Sequence, residues 1–145
     1  MVPSWRDSAS SEAQADLDAL LNATLPFAQQ MLDQHGEFLP FAAAVSKDGG
    51  VTMVAGEVEG TDRPPSQEVL DTLLRGLRES QSEYRAVALV ADVLADGNDA
   101  VRVELEHAQG QAITVLLPYK RKKFRRSVEY GSLAAATGRQ QVWIG

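Results

Sequence analysis

Residues 101–119, VRVELEHAQGQAITVLLPY, decide the architecture. The first half alternates, with Val101, Val103 and Leu105 on one side and Arg102, Glu104 and Glu106 on the other. That period of two marks a half-covered strand. The second half is apolar and rich in β-branched residues. Between them Ala108-Gln109-Gly110 is a short loop ending in glycine, which suits a hairpin whose last loop residue is left-handed. If His107 faces Gln111, then Leu105 faces Ile113, Val103 faces Val115 and Val101 faces Leu117. All of these apolar side chains then share one face, and a slip of one residue destroys the agreement.

Working outward, residues 84–94 form a third strand of this sheet, joined to the hairpin by a turn at Ala95–Asp99. It is apolar on both faces, with small residues at Ala86 and Ala88. Upstream, Ser66 caps a helix whose stripe is Val69, Leu70, Leu73, Leu74 and Leu77, ending near Ser82. Asp48-Gly49-Gly50 is a hairpin signal between strands at 41–47 and 51–58. An earlier helix opens on a capping box, Ser11 with Gln14, and runs through Leu17, Leu20, Leu21, Leu25, Ala28, Met31 and Leu32. Pro26 predicts a kink, or two helices meeting near Thr24. His35-Gly36 closes the element. Downstream, residues 124–130 predict a sixth strand, 132–136 a short helical turn, and 141–144 a last strand or docked tail.

Residues 1–11 read as a flexible tail and 12–145 as a single α+β domain. The element order is α-β-β-α-β-β-β: a mostly antiparallel sheet of five to six strands, with both helices on one face. A crossover placing the first strand beside the fifth predicts the spatial order 2-1-5-4-3. In topology alone this resembles the profilin-like and roadblock/longin domains, though no sequence motif of those families is present. That order puts strand 84–94 at an edge, and an apolar edge invites pairing. Either the order differs, or the edge is covered in a homodimer.

Composition narrows the function classes. The 145 residues contain no cysteine, which excludes disulfide staples, thiolate catalysis and zinc–thiolate sites. The polar N-terminus lacks an apolar signal core, and no run approaches a membrane-spanning length. A cytoplasmic location is expected. The net charge is −6, yet Lys120, Arg121, Lys122, Lys123, Arg125 and Arg126 concentrate six cations in seven residues. With Tyr119, Phe124 and Tyr130 nearby, this segment has the ingredients for nucleic-acid binding. The acidic remainder opposes it. The hairpin register also carries Asp96 and Asp99 toward the cations, so a basic segment facing an acidic turn is the better account. The same six cations are the candidate surface for a protein partner.

Glu104, Glu106 and His107 form the other polar candidate. Glu104 and Glu106 are about 7 Å apart on one strand face, and His107 points the other way or enters the turn. With only His35 as a second histidine, a metal site is poorly supported. Arg102, Glu104 and Glu106 fit a solvated strand face better. No nucleophile elbow, phosphate loop or dinucleotide fingerprint occurs. Two Leu-Pro-Phe tripeptides, at 25–27 and 39–41, fit prolines at element boundaries.

These observations lead to a small cytoplasmic protein-interaction module, not an enzyme, without cofactor or metal. Three alternatives stay open: an immunity- or inhibitor-type protein for a basic partner, a ligand binder or enzyme with a pocket between sheet and first helix, and nucleic-acid binding through residues 120–126.

Overall fold

The hairpin register holds in the computed structural model, which describes residues 6, 9–55, 64–121 and 128–144. The elements run α1 (Ser11–His35), β1 (Phe41–Ser46), β2 (Val51–Ala55), α2 (Ser66–Glu79), a 3-10 turn at Gln81–Glu83, β3 (Tyr84–Ala95), β4 (Asn98–His107), β5 (Ala112–Arg121), β6 (Val128–Tyr130) and β7 (Ala134–Thr137). Leu105 faces Ile113, Val103 faces Val115 and Val101 faces Leu117. The loop closes through His107 N–H donating to Gln111 O at 2.9 Å, with Gly110 left-handed at φ 111°. The fold is α+β with an antiparallel sheet, as the element order predicts.

The strand order is β2-β1-β3-β4-β5-β6, with β7 also beside β5. The expected order 2-1-5-4-3 is therefore wrong. β3 lies in the middle, paired to β1 on one side and β4 on the other. The reason is two-sided burial. Phe41–Val45 are buried at every position, as are 86–91 of β3. Strands without a polar face belong between other strands and beneath cover on both sides. The resemblance to roadblock and profilin topology falls with the order.

The helices also do not share a face. α1 packs on the face carrying Phe41, Ala43, Val45, Ala88, Val90, Val103, Leu105 and Val115. α2 packs on the opposite face, where Val69, Leu73 and Leu77 meet Ala42, Ala44, Val87 and Leu89. Both faces of β1 and β3 are apolar, so each needs its own helix.

Local differences have local causes. α1 is capped by Ser10, whose hydroxyl accepts from Ala13 N–H at 3.0 Å, one residue earlier than the capping box predicts. It continues through Pro26 as one helix, and the buried Thr24 hydroxyl donates to Leu20 O at 2.8 Å just before the proline. Gly36 closes it at φ 76°. α2 has Pro65, not Ser66, at its cap. The predicted helical turn at 132–136 does not form; from Ala134 the chain is strand instead, and β7 pairs with Ile113–Leu116 of β5. Of the predicted strand at 124–130, residues 124–127 lie outside the described residues, as do 56–58 of the second strand. Among the described residues no helix is long and apolar enough to cross a membrane.

Candidate functional site

The polar group under α1 is assembled by three elements. Asp16 belongs to the row Asp16, Leu20, Thr24, Ala28, Leu32, one residue per turn of α1, and all are buried. It therefore faces the sheet and is nearly inaccessible. Its Oδ2 lies 2.8 Å from Nε2 of buried His107, at the end of β4. Its Oδ1 receives Arg85 Nη2 at 2.7 Å from the start of β3, and Arg85 Nε lies 3.4 Å from Glu12 Oε1. Gln109 N–H donates to His107 Nδ1 at 3.1 Å. With Nδ1 accepting, Nε2 carries the proton and donates to Asp16.

That tautomer decides what the group can do. Ligand atoms of Glu12, Asp16 and His107 all lie within 4.8 Å of one another. To ligate a metal, Nε2 must give up its proton, which moves it to Nδ1 and against the Gln109 N–H. Asp16 is also already held by Arg85. The arrangement fits a fastening of α1 to the sheet, not a cation site. Sequence reasoning placed His107 on the face opposite Glu106, as found, but missed Asp16 and Arg85. The available signal was an aspartate in phase with the buried stripe of α1.

The basic segment is only partly described. Lys122, Lys123, Arg125 and Arg126 lie outside the described residues. Lys120 and Arg121 are exposed at the end of β5, beside an open depression of about 1020 Å³ shared with Asp96, Asp99, Glu129 and Tyr130. Its floor is apolar, at Leu116 and Pro118. Lys120 and Arg121 thus lie beside the acidic turn, but among the described residues no ion pair joins either of them to Asp96 or Asp99. Arg121 turns to the other face instead. Its Nη2 donates to Gly36 O at 2.5 Å, where a cation complements the C-terminal end of α1. The guanidinium carbon also lies 5.7 Å from the Tyr119 ring centre.

Beside it, Tyr119 OH donates to Asp92 Oδ1 at 2.5 Å. Burial raises the Asp92 carboxyl above its ordinary range, while the Tyr119 hydrogen bond and the Arg121 charge pull it partly back. Burial, then the Asp92 hydrogen bond, pushes the Tyr119 phenol up. Tyr130 is pushed up to about 12 by burial and by the Asp33 charge. It donates to Gln29 O at 3.2 Å, tying β6 to α1.

Arg102, Glu104 and Glu106 share the α2 side of β4, but not as the expected solvated face. Glu106 is buried, and its carboxylate accepts from the backbone N–H groups of Gln141, Val142 and Trp143 at 2.6–3.0 Å. Glu104 accepts from the Gln141 side chain at 3.1 Å, and Arg102 lies 4.0 Å from Glu104. Residues 141–144 are thus a docked tail. Val142 is buried against the α2 cluster, and Arg78 Nε donates to Gln141 O at 2.7 Å.

The remaining surface feature is β2, which ends the strand order and, among the described residues, has β1 as its one strand neighbour. Ser46 N–H donates to Gly50 O at 2.9 Å, and Val45 pairs with Val51. By antiparallel alternation Thr52 and Val54 bond to β1. Val51, Met53 and Ala55 then point their N–H and C=O groups outward. Val51–Ala55 contains no charge and no proline, although edges are usually blunted by one or the other. Val51 and Met53 are 39% and 43% exposed on the α1 side, and Phe27 of α1 is 41% exposed. The two Leu-Pro-Phe tripeptides meet here: the Phe27 and Phe41 rings stand edge to face at 5.0 Å. Compared with protein-family models, curated proteins and solved structures, the chain matches none.

Proposed function

We propose that this chain is a protein-interaction module that works without catalysis, in the cytoplasm, by accepting a strand at the edge of β2. One observation carries the reading. An uncharged strand offers three outward backbone pairs next to exposed Val51 and Met53. Strand addition draws affinity from such backbone groups and specificity from alternate side chains. The polar groups inside the fold fit this role. Asp16–His107–Arg85 and Glu106–Val142 join one element to another and present no reactive atom to solvent.

The test uses the outward register. Met53→Pro removes an outward N–H and leaves the β1–β2 ladder intact, since edge strands tolerate proline. Immobilised wild-type protein should retain partners from native lysate that Met53→Pro and Met53→Lys release, with all three chains equally folded by circular dichroism. Retention unchanged in both variants refutes the reading.

A further inference from the structure

We infer that Asp96-Gly97, the turn between β3 and β4, is a site of covalent modification: the Gly97 peptide nitrogen closes on the Asp96 side chain to a succinimide, and hydrolysis leaves isoaspartate in the backbone. The inference is independent of the reading of β2.

The sequence holds two Asp-Gly pairs, Asp48-Gly49 and Asp96-Gly97, and both are exposed. In such a pair the missing glycine Cβ leaves the peptide nitrogen open to the aspartate side chain. The structure separates the two by what holds their reacting atoms. Gly49 N–H donates to Ser46 O at 3.0 Å. The Asp48 carboxylate accepts from the Ser46 hydroxyl and, at 2.9 Å, from Gly50 N–H. The Ser46 hydrogen bond, then that of Gly50, holds Asp48 below the usual carboxylate range, and an ionised carboxylate has no hydroxyl to lose. At Asp96-Gly97 neither end is held. Among the described residues no hydrogen bond or ion pair engages the Asp96 carboxylate, and Gly97 N–H donates to no backbone carbonyl.

The turn geometry supplies the approach. Ala95 pairs with Asn98, so Asp96 and Gly97 alone form the loop. Their φ values are 51° and 80°, both positive, which makes the turn type I′. Ring closure needs Cβ and Gly97 N eclipsed about the Cα–C bond of Asp96. That sets ψ at about −120°, the value of the first central residue in a type II′ turn. Types I′ and II′ differ by a flip of the central peptide. The first residue keeps its positive φ, and the second changes sign. Asp96 already holds a φ that L-residues reach at a cost, and Gly97 takes either sign. Both types close a two-residue hairpin, so β3 and β4 keep their register while the ring forms. Asn98 Nδ2 donates to Asp96 O at 3.3 Å, the contact that the flip breaks.

The step balances without a co-reactant. Gly97 N bonds to Cγ of the protonated Asp96 side chain, the Cγ–OH bond breaks, and the hydroxyl leaves with the amide proton as water. Water then returns at either ring carbonyl. Opening at Cγ restores Asp96. Opening at the main-chain carbonyl carbon leaves the chain running through Cβ and Cγ, longer by a methylene, with that carbon as a free carboxylate. A two-residue loop has no place for the added atom, so the pairs nearest the turn, Ala95–Asn98 and Leu94–Asp99, should open.

The test ages folded wild type at mildly acidic pH. Peptide mapping with electron-transfer fragmentation reads the product, because isoaspartate puts the Cα–Cβ bond into the backbone. Isoaspartate should form about tenfold or more faster at Asp96 than at Asp48, the factor that the hydrogen bonds on Asp48 and Gly49 supply. In guanidinium the two pairs should draw level. In oxygen-18 water Asp96 should take up label, the mark of ring opening by water. Asp96→Asn keeps the turn chemistry and loses ammonia instead of water, so it should react faster than wild type. Asn98→Ala frees the flipping peptide and should also speed the reaction. Equal rates at the two pairs in the folded chain, or an Asp96 that stays unmodified and unlabelled, overturn the inference. An Asp96 lead that survives in guanidinium assigns the preference to sequence alone and overturns the geometric account.

Discussion

Glu106 holds Val142 with both carboxylate oxygens, each 3.0 Å from the Val142 backbone N–H. Gln141 and Trp143 N–H groups complete the clasp. A carboxylate can accept from all of them, because neither oxygen carries a proton. An amide cannot, since its NH₂ would face backbone donors. Glu106→Gln should cost about 1–3 kcal/mol in urea denaturation, the penalty for leaving buried donors unpaired. The tail should also loosen. In a Trp5→Phe background Trp143 is the sole tryptophan, and its emission should shift to the red in the variant. Unchanged stability and emission would show that the tail docks through Val142 alone.

Asp16 is shared between His107 and Arg85, and the two contacts join the first turns of α1 to β3 and β4. Asp16→Asn keeps the shape and removes the charge. It should cost about 2 kcal/mol, as expected for hydrogen bonds to a charged group, because Arg85 remains partly solvated. His107→Ala should cost a similar amount and leave a cavity beside it. The tautomer leads to a further expectation: zinc or manganese should not raise the thermal midpoint of the wild type. A concentration-dependent rise abolished by His107→Ala would mean the ring can turn its proton to Nδ1 and ligate.

The hairpin of residues 101–119 was legible because its apolar residues permit only one register. The strand order was not, and the reason lies in β1. Phe41-Ala-Ala-Ala-Val has no polar alternation, so it gives no register and no preferred face. Read as a strand buried on both sides, it calls for neighbours on both edges and a helix above and below. That places β3 beside it and separates α1 from α2. Glu106 shows a second limit. Period-two patterning cannot distinguish a carboxylate in water from one receiving backbone donors more than thirty residues away. Lys120 and Arg121 show a third. Their clustering was plain in the sequence, but strand alternation sends Arg121 to α1 and leaves Lys120 on the other side.

Asp92 and Tyr119 give a pH dependence with a definite sign. Burial raises the Asp92 carboxyl above its ordinary value, so folding favours its protonated form. The associated stabilisation is fully present below the unfolded-state value and is lost as pH rises through the raised folded value. Asp92→Asn, neutral throughout, should remove that part of the stability–pH slope. Tyr119→Phe removes the hydrogen bond that lowers the Asp92 value, so in this variant Asp92 should titrate higher still. Carboxyl carbon NMR reads both changes. A downward movement in Tyr119→Phe would contradict the assigned roles.

Gly138 tests how β7 and the tail are seated. Its N–H donates to Ala112 O at 2.9 Å, where the chain leaves β7 and turns toward Glu106. A Cβ at this position would lie 2.9 Å from Ile113 N and 3.0 Å from Ile113 C. Those are backbone atoms of β5, held in register by both β4 and β7, and they have nowhere to yield. Gly138→Ala should therefore push β7 off β5 and cost about 1–3 kcal/mol, the usual range for overpacking. Amide exchange distinguishes the mechanism. Protection should fall at 134–137, and through the shared tail at Val142, while the β3–β4 ladder keeps its own. A uniform loss across the sheet would mean that the strain spreads through β5 instead of being released at its edge.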